Sequence, residues 1–291
     1  MKSSAGERFF YTVNYIILTI AACTCLFPIL NILALSLSDA NSILSGSVSI
    51  WPKGFNLESY RTLLDGTQIV NAFFNSVTIT LVGVALCLLF TILAAYPLSR
   101  KGFIGRRPFT LAIVFTMLFS GGLIPNYLVV NGLGLVNTYA ALWFPALVSA
   151  FNMMIMKNYF ENLPEEIEEA ARMDGCGEVM MLIRIILPLS LPMLATIALF
   201  YGVNFWNAFL SVMIYINDTI KFNMTVLVQN MIRSQSMMQF MTNVQPEDLQ
   251  SIAPEGVKSS GIVVMIVPLM LVYPFLQKYF VKGAMVGAVK G

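Results

Sequence analysis

Six strongly apolar runs, set apart by polar stretches, make up the pattern of this chain: about 13–35, 73–98, 109–130, 139–156, 191–216 and 261–281. Each is close to the ~20 residues an α-helix needs to cross a bilayer, so the pattern predicts six membrane-crossing helices. The third run is interrupted by Gly121, Gly122 and Pro125. The first is longer than the apolar core of a cleaved signal peptide, and no small-residue cleavage site follows it, so it reads as a retained anchor. With no repeat, low-complexity tract or soluble domain in view, one all-α integral-membrane domain over residues 1–291 is expected.

One polar stretch breaks this pattern more strongly than the others. It lies between the fourth and fifth runs, and from Glu161 to Pro192 it holds seven of the chain's fifteen acidic residues. Pro164 suits the first position of a helix, where its missing N–H costs nothing. Glu165, Glu166, Glu168 and Glu169 then crowd the early turns, where the helix dipole favours negative charge. Glu168 and Arg172 stand four residues apart, in range of an ion pair. Gly175 can close the helix in a left-handed conformation. A helix over 164–174 follows, with Ile167, Ala170, Ala171 and Asp174 on one side. The two alanines keep that side low, so another protein's surface can come close to the backbone. A second short helix over 178–186 leads to Pro188 and Pro192 at the start of the fifth run. Two helices joined at Gly175 and hinged by prolines would pass on a push as a unit. The competing reading is a helix lying on the inner leaflet, which would set the acidic turns against anionic headgroups.

Composition adds to this picture. The chain is 57% hydrophobic and 11% charged, with a mean hydropathy of +0.76; a soluble domain carries about a quarter charged residues. The net charge of +2 matters less than where Lys and Arg fall. With the amino terminus inside, twelve of the seventeen basic residues lie in inner segments, among them Lys2, Arg8, Arg100, Lys101, Arg106 and Arg107. The outer loops keep only Lys53, Arg61, Lys221, Arg233 and Lys258. Positive charge marks the cytoplasmic side, so both termini and the 161–190 loop are placed in the cytoplasm. Two outer segments, 36–70 and 217–258, are long. In the first, Asn56 can cap a short helix through Tyr60; in the second, 224–233 reads as an amphipathic helix.

Missing groups narrow the function. Without histidine, the commonest general base and metal ligand is absent, and so are the usual nucleophile–histidine triads. Cys23, Cys25, Cys87 and Cys176 form neither a disulfide framework nor a C-x-x-C pattern and are expected as buried small hydrophobes. No metal site follows from them. There is no G-x-x-x-x-G-K-[ST] phosphate loop. No ionisable residue lies well inside an apolar run, which argues against a proton-coupled carrier. A sodium symporter is disfavoured less strongly, since it can hold its ion with backbone carbonyls. A pathway that borrows its energy from another subunit fits best.

The polar stretch also carries a resemblance. Glu169-Ala170-Ala171, then Asp174-Gly175, then Ile185, Leu187 and Pro188, at this spacing, resemble the EAA loop of permease subunits in bacterial ATP-binding-cassette importers, with Cys176 where alanine is usual. Trp51-Pro52-Lys53-Gly54-Phe55 with Tyr60, and the tail running from Gln277 through Gly283 to Gly291, resemble the carbohydrate branch of that family. This branch includes subunits similar to the second maltose-transporter permease and others that import oligosaccharides released from complex polysaccharides. The resemblance implies a type I importer permease fold with the loop docked in a cleft on the ATPase subunit. It further implies a second, related permease, two ATPase copies and an external solute-binding protein. ATP and Mg would belong to the ATPase, with no cofactor on this chain; the bilayer is a partner and nucleic acid is not. ATP binding would turn the permease pair outward and hydrolysis would reset it, and the tail from Gly283 would reach the ATPases, as in some relatives.

Sugars are bound by aromatic faces and neutral hydrogen-bonding groups in mostly apolar cavities. Tyr201, Asn204, Trp206 and Asn207 in the fifth run, and Trp143 and Asn152 in the fourth, are candidates to line the pathway. The plainer reading of each is hydrogen bonding between helices. Two alternatives stay open. One is an importer for a polar non-sugar such as a polyamine or peptide, although a polyamine path would need acidic residues in the spans. The other is a membrane enzyme or self-sufficient channel, for which the Glu165–Glu169 cluster is the sole catalytic candidate.

Overall fold

The computed structural model describes residues 5–240 and 253–288, and all regular elements among them are helices. In chain order, α1 (Ala5–Ser36) is followed by the short α2 (Ala40–Leu44) and α3 (Glu58–Gly66), then by α4 (Ile69–Ser99). Next come α5 (Arg106–Leu118), α6 (Leu123–Gly132) and α7 (Ala140–Trp143), the last extended by a 3-10 turn over Phe144–Ala146. Helices α8 (Ala150–Glu161) and α9 (Glu165–Met173) precede α10 (Glu178–Met181), which runs through a π turn (Leu182–Ile186) into α11 (Leu187–Leu189). The described chain ends with α12 (Leu191–Trp206), α13 (Leu210–Tyr215), α14 (Met224–Phe240) and α15 (Pro254–Ala288).

Residues Gly6–Ser36, Ile69–Ser99 and Pro254–Val272 form helices long and apolar enough to cross a membrane. Three helix pairs pass the same test but bend at a short break: α5 with α6 by 115°, Ala140–Ala146 with α8 by 50°, and Glu178–Leu189 with α12 by 82°. Counting each pair as one crossing gives the expected six. The first of these bends falls where the sequence places Gly121 and Gly122; Gly122 has φ 83°, a left-handed value that a residue with a side chain rarely adopts. The fifth expected run is not one helix. Asn207 turns its side-chain amide back onto the Val203 carbonyl (2.9 Å), and α12 stops there.

Contacts divide the chain into two compact units, Met1–Ile69 with Leu227–Val267, and Val70–Val226 with Pro268–Gly291. The sequence pattern predicts one domain; the division arises because the first outer segment closes on a small core of its own, built from Ala34, Ile43, Val48 and Ala253. In this unit Asp39 caps α2 by accepting from Ser42 N (2.6 Å), and Gly54 at φ 59° packs against the Asp39 carboxylate so closely that a Cβ would lie 1.7 Å from its Oδ2. Asn56 Oδ1 accepts from Glu58 N (2.7 Å) at the start of α3, and Tyr60 hydrogen-bonds Ser36 Oγ (2.9 Å). The Trp51–Tyr60 signature is thus a folded turn rather than a structureless loop.

The second unit has a larger core that includes Ile79, Met153, Met156, Phe160 and Ile197. Gly83 on α4 admits the Phe205 ring of α12; a Cβ there would meet the ring at 2.7 Å. Cys87 is buried, with its Sγ 3.1 Å from the Ala146 carbonyl, whereas Cys23 and Cys25 are exposed on α1 and Cys176 is half-buried. Only one of the four cysteines is the buried small hydrophobe expected; the face of α1 that carries two of them is not covered by the described residues.

Candidate functional site

The acidic helix starts one residue later than predicted, with Pro164 as its N-cap and Glu165, Glu166 and Glu168 in its first turn. Gly175 has φ 75°, the left-handed turn anticipated after α9. The charge pairing differs from expectation. Glu168 does not pair with Arg172 on its own helix; it pairs with Arg100, in the loop after α4. Lys101 of the same loop reaches Glu165, and Arg106, the first residue of α5, reaches Glu161. Arg172 instead crosses the Gly175 turn to Glu178 (2.9 Å). Three basic residues at and before the start of α5 therefore engage the acidic residues around α9, and a fold that brings 100–106 beside 161–168 overrides the local four-residue spacing.

The centre of this clasp is enclosed. The side chains of Arg100 and Glu168 are 15% and 14% exposed. The Arg100 guanidinium lies 4.4 Å above the centre of the Tyr96 ring, and its Nε and Nη2 are buried without a hydrogen-bond partner among the described residues. Burial pushes its pKa below the ordinary arginine value. Tyr96 donates its hydroxyl to Glu178 Oε2 (2.8 Å), tying α4 to the segment after the turn. Beneath lies Lys157, 6% exposed, whose Nζ is 2.6 Å from Glu161. By contrast the Lys101–Glu165 pair is open to solvent, and the Lys101 ammonium holds the Glu165 carboxyl below its usual range, first by hydrogen bonding and then by charge. A cavity of about 740 Å³ borders the clasp, with Arg106, Glu169 and Arg172 on its walls.

What α9 presents outward also differs from the predicted face. Ala171 is buried in the core of its own unit, and Ile167 and Glu168 are half-buried. Glu166, Glu169, Ala170 and Met173 remain exposed, Met173 at 88%. The low-profile surface is therefore shared: Ala171 lets α9 sit close to its own protein, and Ala170 lies on the free side. Asp174, Gly175 and Pro188 are exposed, while Ile185 and Leu187 are half-buried against the core. The methionine had no signal in the sequence beyond its position four residues after Glu169.

The six pathway candidates divide evenly. Asn152, Tyr201 and Asn204 line one cavity of about 380 Å³, with Ser149, Phe151 and Phe200. Trp143 is spent on a helix–helix bond from Nε1 to the Ile79 carbonyl (3.0 Å). Trp206 is buried edge-on to Phe73, ring centres 6.2 Å apart, and Asn207 closes its own helix. Tyr201 is a brace as well as a wall: its hydroxyl bonds Thr91 Oγ1 (2.8 Å) and accepts from Ser149 N (3.1 Å), holding the break between the 3-10 turn and α8. Backbone can leave the helix at membrane depth only where protein or a cavity covers it, and this break has both.

Comparison with known proteins settles what kind of chain this is. A family model described as "Binding-protein-dependent transport system inner membrane component" matches residues 87–286. The chain belongs to that family. It is a helical membrane subunit of a transport system and not an enzyme. This permease is 40% identical over 98% of its length to the polygalacturonan/rhamnogalacturonan transport system permease protein YtcP of Bacillus subtilis, covering 99% of that protein. It is 39% identical to protein LplC of the same organism, over 100% of this chain and 98% of the other. Among solved structures, a bacterial ABC transporter chain involved in import of the acidic polysaccharide alginate matches with a TM-score of 0.88 and 33% identity, over 96% of the permease and 99% of that chain. The fold of the permease is accordingly the type I ABC importer fold.

Proposed function

We propose that this permease is the membrane-spanning subunit of an ATP-driven importer that carries an oligosaccharide, released from a complex polysaccharide, across the cytoplasmic membrane. Both termini and the 161–190 loop lie on the cytoplasmic side, as the distribution of Lys and Arg indicates. Its partners are a second, related permease, two copies of an ATPase that bind ATP and Mg, and an external solute-binding protein. Cargo of this class is supported by the functions of the relatives, which include a polygalacturonan/rhamnogalacturonan permease, an arabinooligosaccharide permease and a structure linked to alginate import.

The observation that carries the coupling role is the way α9 is held. The enclosed Arg100–Glu168 pair fixes its inner side, while Glu169, Ala170 and Met173 stay exposed on the outer side. A helix that is braced behind and bare in front suits a handle gripped by another protein. Motion of the handle then passes along Glu178–Leu189 to the 82° bend at the start of α12.

Gly175 tests this role. No atom lies within 4 Å of a Cβ built there, so a substitution strains the backbone and collides with nothing in this chain. Aspartate tolerates the left-handed region better than alanine but adds negative charge to the handle. Gly175→Asp is expected to lower uptake more than Gly175→Ala, with both proteins still reaching the membrane. Unchanged uptake in both variants would end the docking account.

A further inference from the structure

The cavity at the break in the fourth crossing holds a helix end that the coupling role does not use. The chain leaves helical geometry at residues 147–149, and α8 restarts at Ala150. Its 12 residues are about 18 Å long, so its N-terminus lies near mid-depth of a hydrocarbon layer of about 30 Å. Every helix begins with four N–H groups that lack an intrahelical acceptor. Here the N–H of Ser149 goes to Tyr201 Oη (3.1 Å) and that of Asn152 to Ser149 Oγ (3.4 Å). No acceptor among the described residues takes the N–H of Ala150 or Phe151.

A second observation points to a ligand at the same place. Asn152 is 6% exposed, lines the 380 Å³ cavity, and makes no side-chain hydrogen bond to any described residue. Its amide is a donor with nothing to donate to. The rest of the wall is apolar or neutral: Phe151, Phe200 and Phe205 line it, Asn204 adds a second amide, and no Lys or Arg is among the lining residues. Free N–H groups at the positive end of a helix dipole, joined by an amide, form a site for an anion that needs no cationic side chain. Broken helices in transporters hold anionic substrate groups in this way.

We propose that the start of α8, with Asn152, is a subsite for the carboxylate of an acidic sugar, so that the cargo is a uronate-containing oligosaccharide. The proposal rests on the oligosaccharide reading above and narrows it. The carboxylate sits on the N–H of Phe151 and on the Asn152 amide, both on the cavity wall, while an apolar sugar face lies against the phenylalanines. A neutral sugar would use Asn152 differently, since a hydroxyl accepts as well as donates.

The test is uptake of labelled galacturonate, mannuronate and neutral oligosaccharides by cells producing the assembled transporter with Asn152, Asn152→Leu or Asn152→Asp, the membrane level of the complex being measured alongside. Leucine removes the donor; aspartate adds a like charge, which is strongly disfavoured against a carboxylate. Uptake is expected to fall for leucine and to fall about tenfold further for aspartate. Aspartate equal to or better than leucine overturns the acidic subsite. So does a wild-type transporter that takes up neutral oligosaccharides but no uronates, which leaves the oligosaccharide reading standing; uptake of neither kind removes both. Should the Asn152 variants not reach the membrane, Asn204→Leu and Asn204→Asp, exposed on the same cavity, must show the same order.

Discussion

Removing Glu168 isolates the contribution of the clasp. The carboxylate faces Arg100 in a pocket where both side chains are about six-sevenths covered, at 14% and 15% exposure. Two unit charges about 4 Å apart at an effective dielectric near 20 attract by about 4 kcal/mol. Much of that attraction offsets the cost of taking both groups out of water, so the pair as a whole stabilises modestly. Deleting one partner is a different matter, because the other charge stays buried. Nε and Nη2 of Arg100 already lack acceptors among the described residues, so the Tyr96 ring is left as its nearest compensation. Glu168→Ala is therefore expected to destabilise the permease by about 3–5 kcal/mol. The double variant Arg100→Met, Glu168→Ala removes both charges and should recover most of the loss, since replacing a buried pair with apolar groups is often close to neutral. Denaturant unfolding of the purified protein in detergent, run as a double-mutant cycle, reads these values directly. A Glu168→Ala change below about 0.5 kcal/mol, the range of an ordinary surface substitution, would refute the claim that this pair seats α9.

Glu161 binds two cations and Lys157 binds one described carboxylate, so Glu161→Ala should lower thermal stability clearly more than Lys157→Met in the same melting assay. The exposed Glu165 contributes through its lowered pKa. Its benefit over Glu165→Gln is present above the ordinary carboxylate value of 4.5 and is lost as pH falls through the depressed one, so unfolding curves of the two proteins should converge only in acid. Gly83→Ala forces a methyl group against the Phe205 ring and should cost about 1–3 kcal/mol by overpacking, measured by the same unfolding assay.

Much of this fold is written in local sequence. Hydropathy marks the six crossings, Gly122 marks a bend, and the acidic run before Gly175 marks α9 and its left-handed stop. What local spacing does not carry is which residues meet across the chain. Glu168 has Arg172 four residues away but pairs with Arg100, 68 positions earlier, because α4 and α8 end side by side in the core. Ala170 and Ala171 look alike in sequence, yet one is buried and the other free; helix rotation is set by the tertiary contacts of α9 and not by its own composition. The pathway residues show the same limit. Asn152, Tyr201 and Asn204 share a cavity, whereas Trp143 and Trp206 are equally suited to sugar by type and are committed to packing. The break at 147–149 comes after Pro145, whose restriction falls on the residue before it, and it becomes visible as a break only when the cavity beside it is seen.

The π turn at Leu182–Ile186 has a bearing on how this segment tolerates change in length. A π turn holds one residue more than an α turn. That surplus residue sets the phase between Glu178, on one side, and Pro188, on the other. Each residue of an α-helix advances the side chains by about 100°. Deleting a single residue within 182–186 would let the turn relax to ordinary α geometry with its hydrogen bonds intact. The residues before it would then keep their orientation relative to α12, a change in length absorbed without a change in heading. Adding a residue has no such outlet and would swing everything upstream around the axis. The segment is thus asymmetric as a mechanical joint: it can be shortened by one but not lengthened.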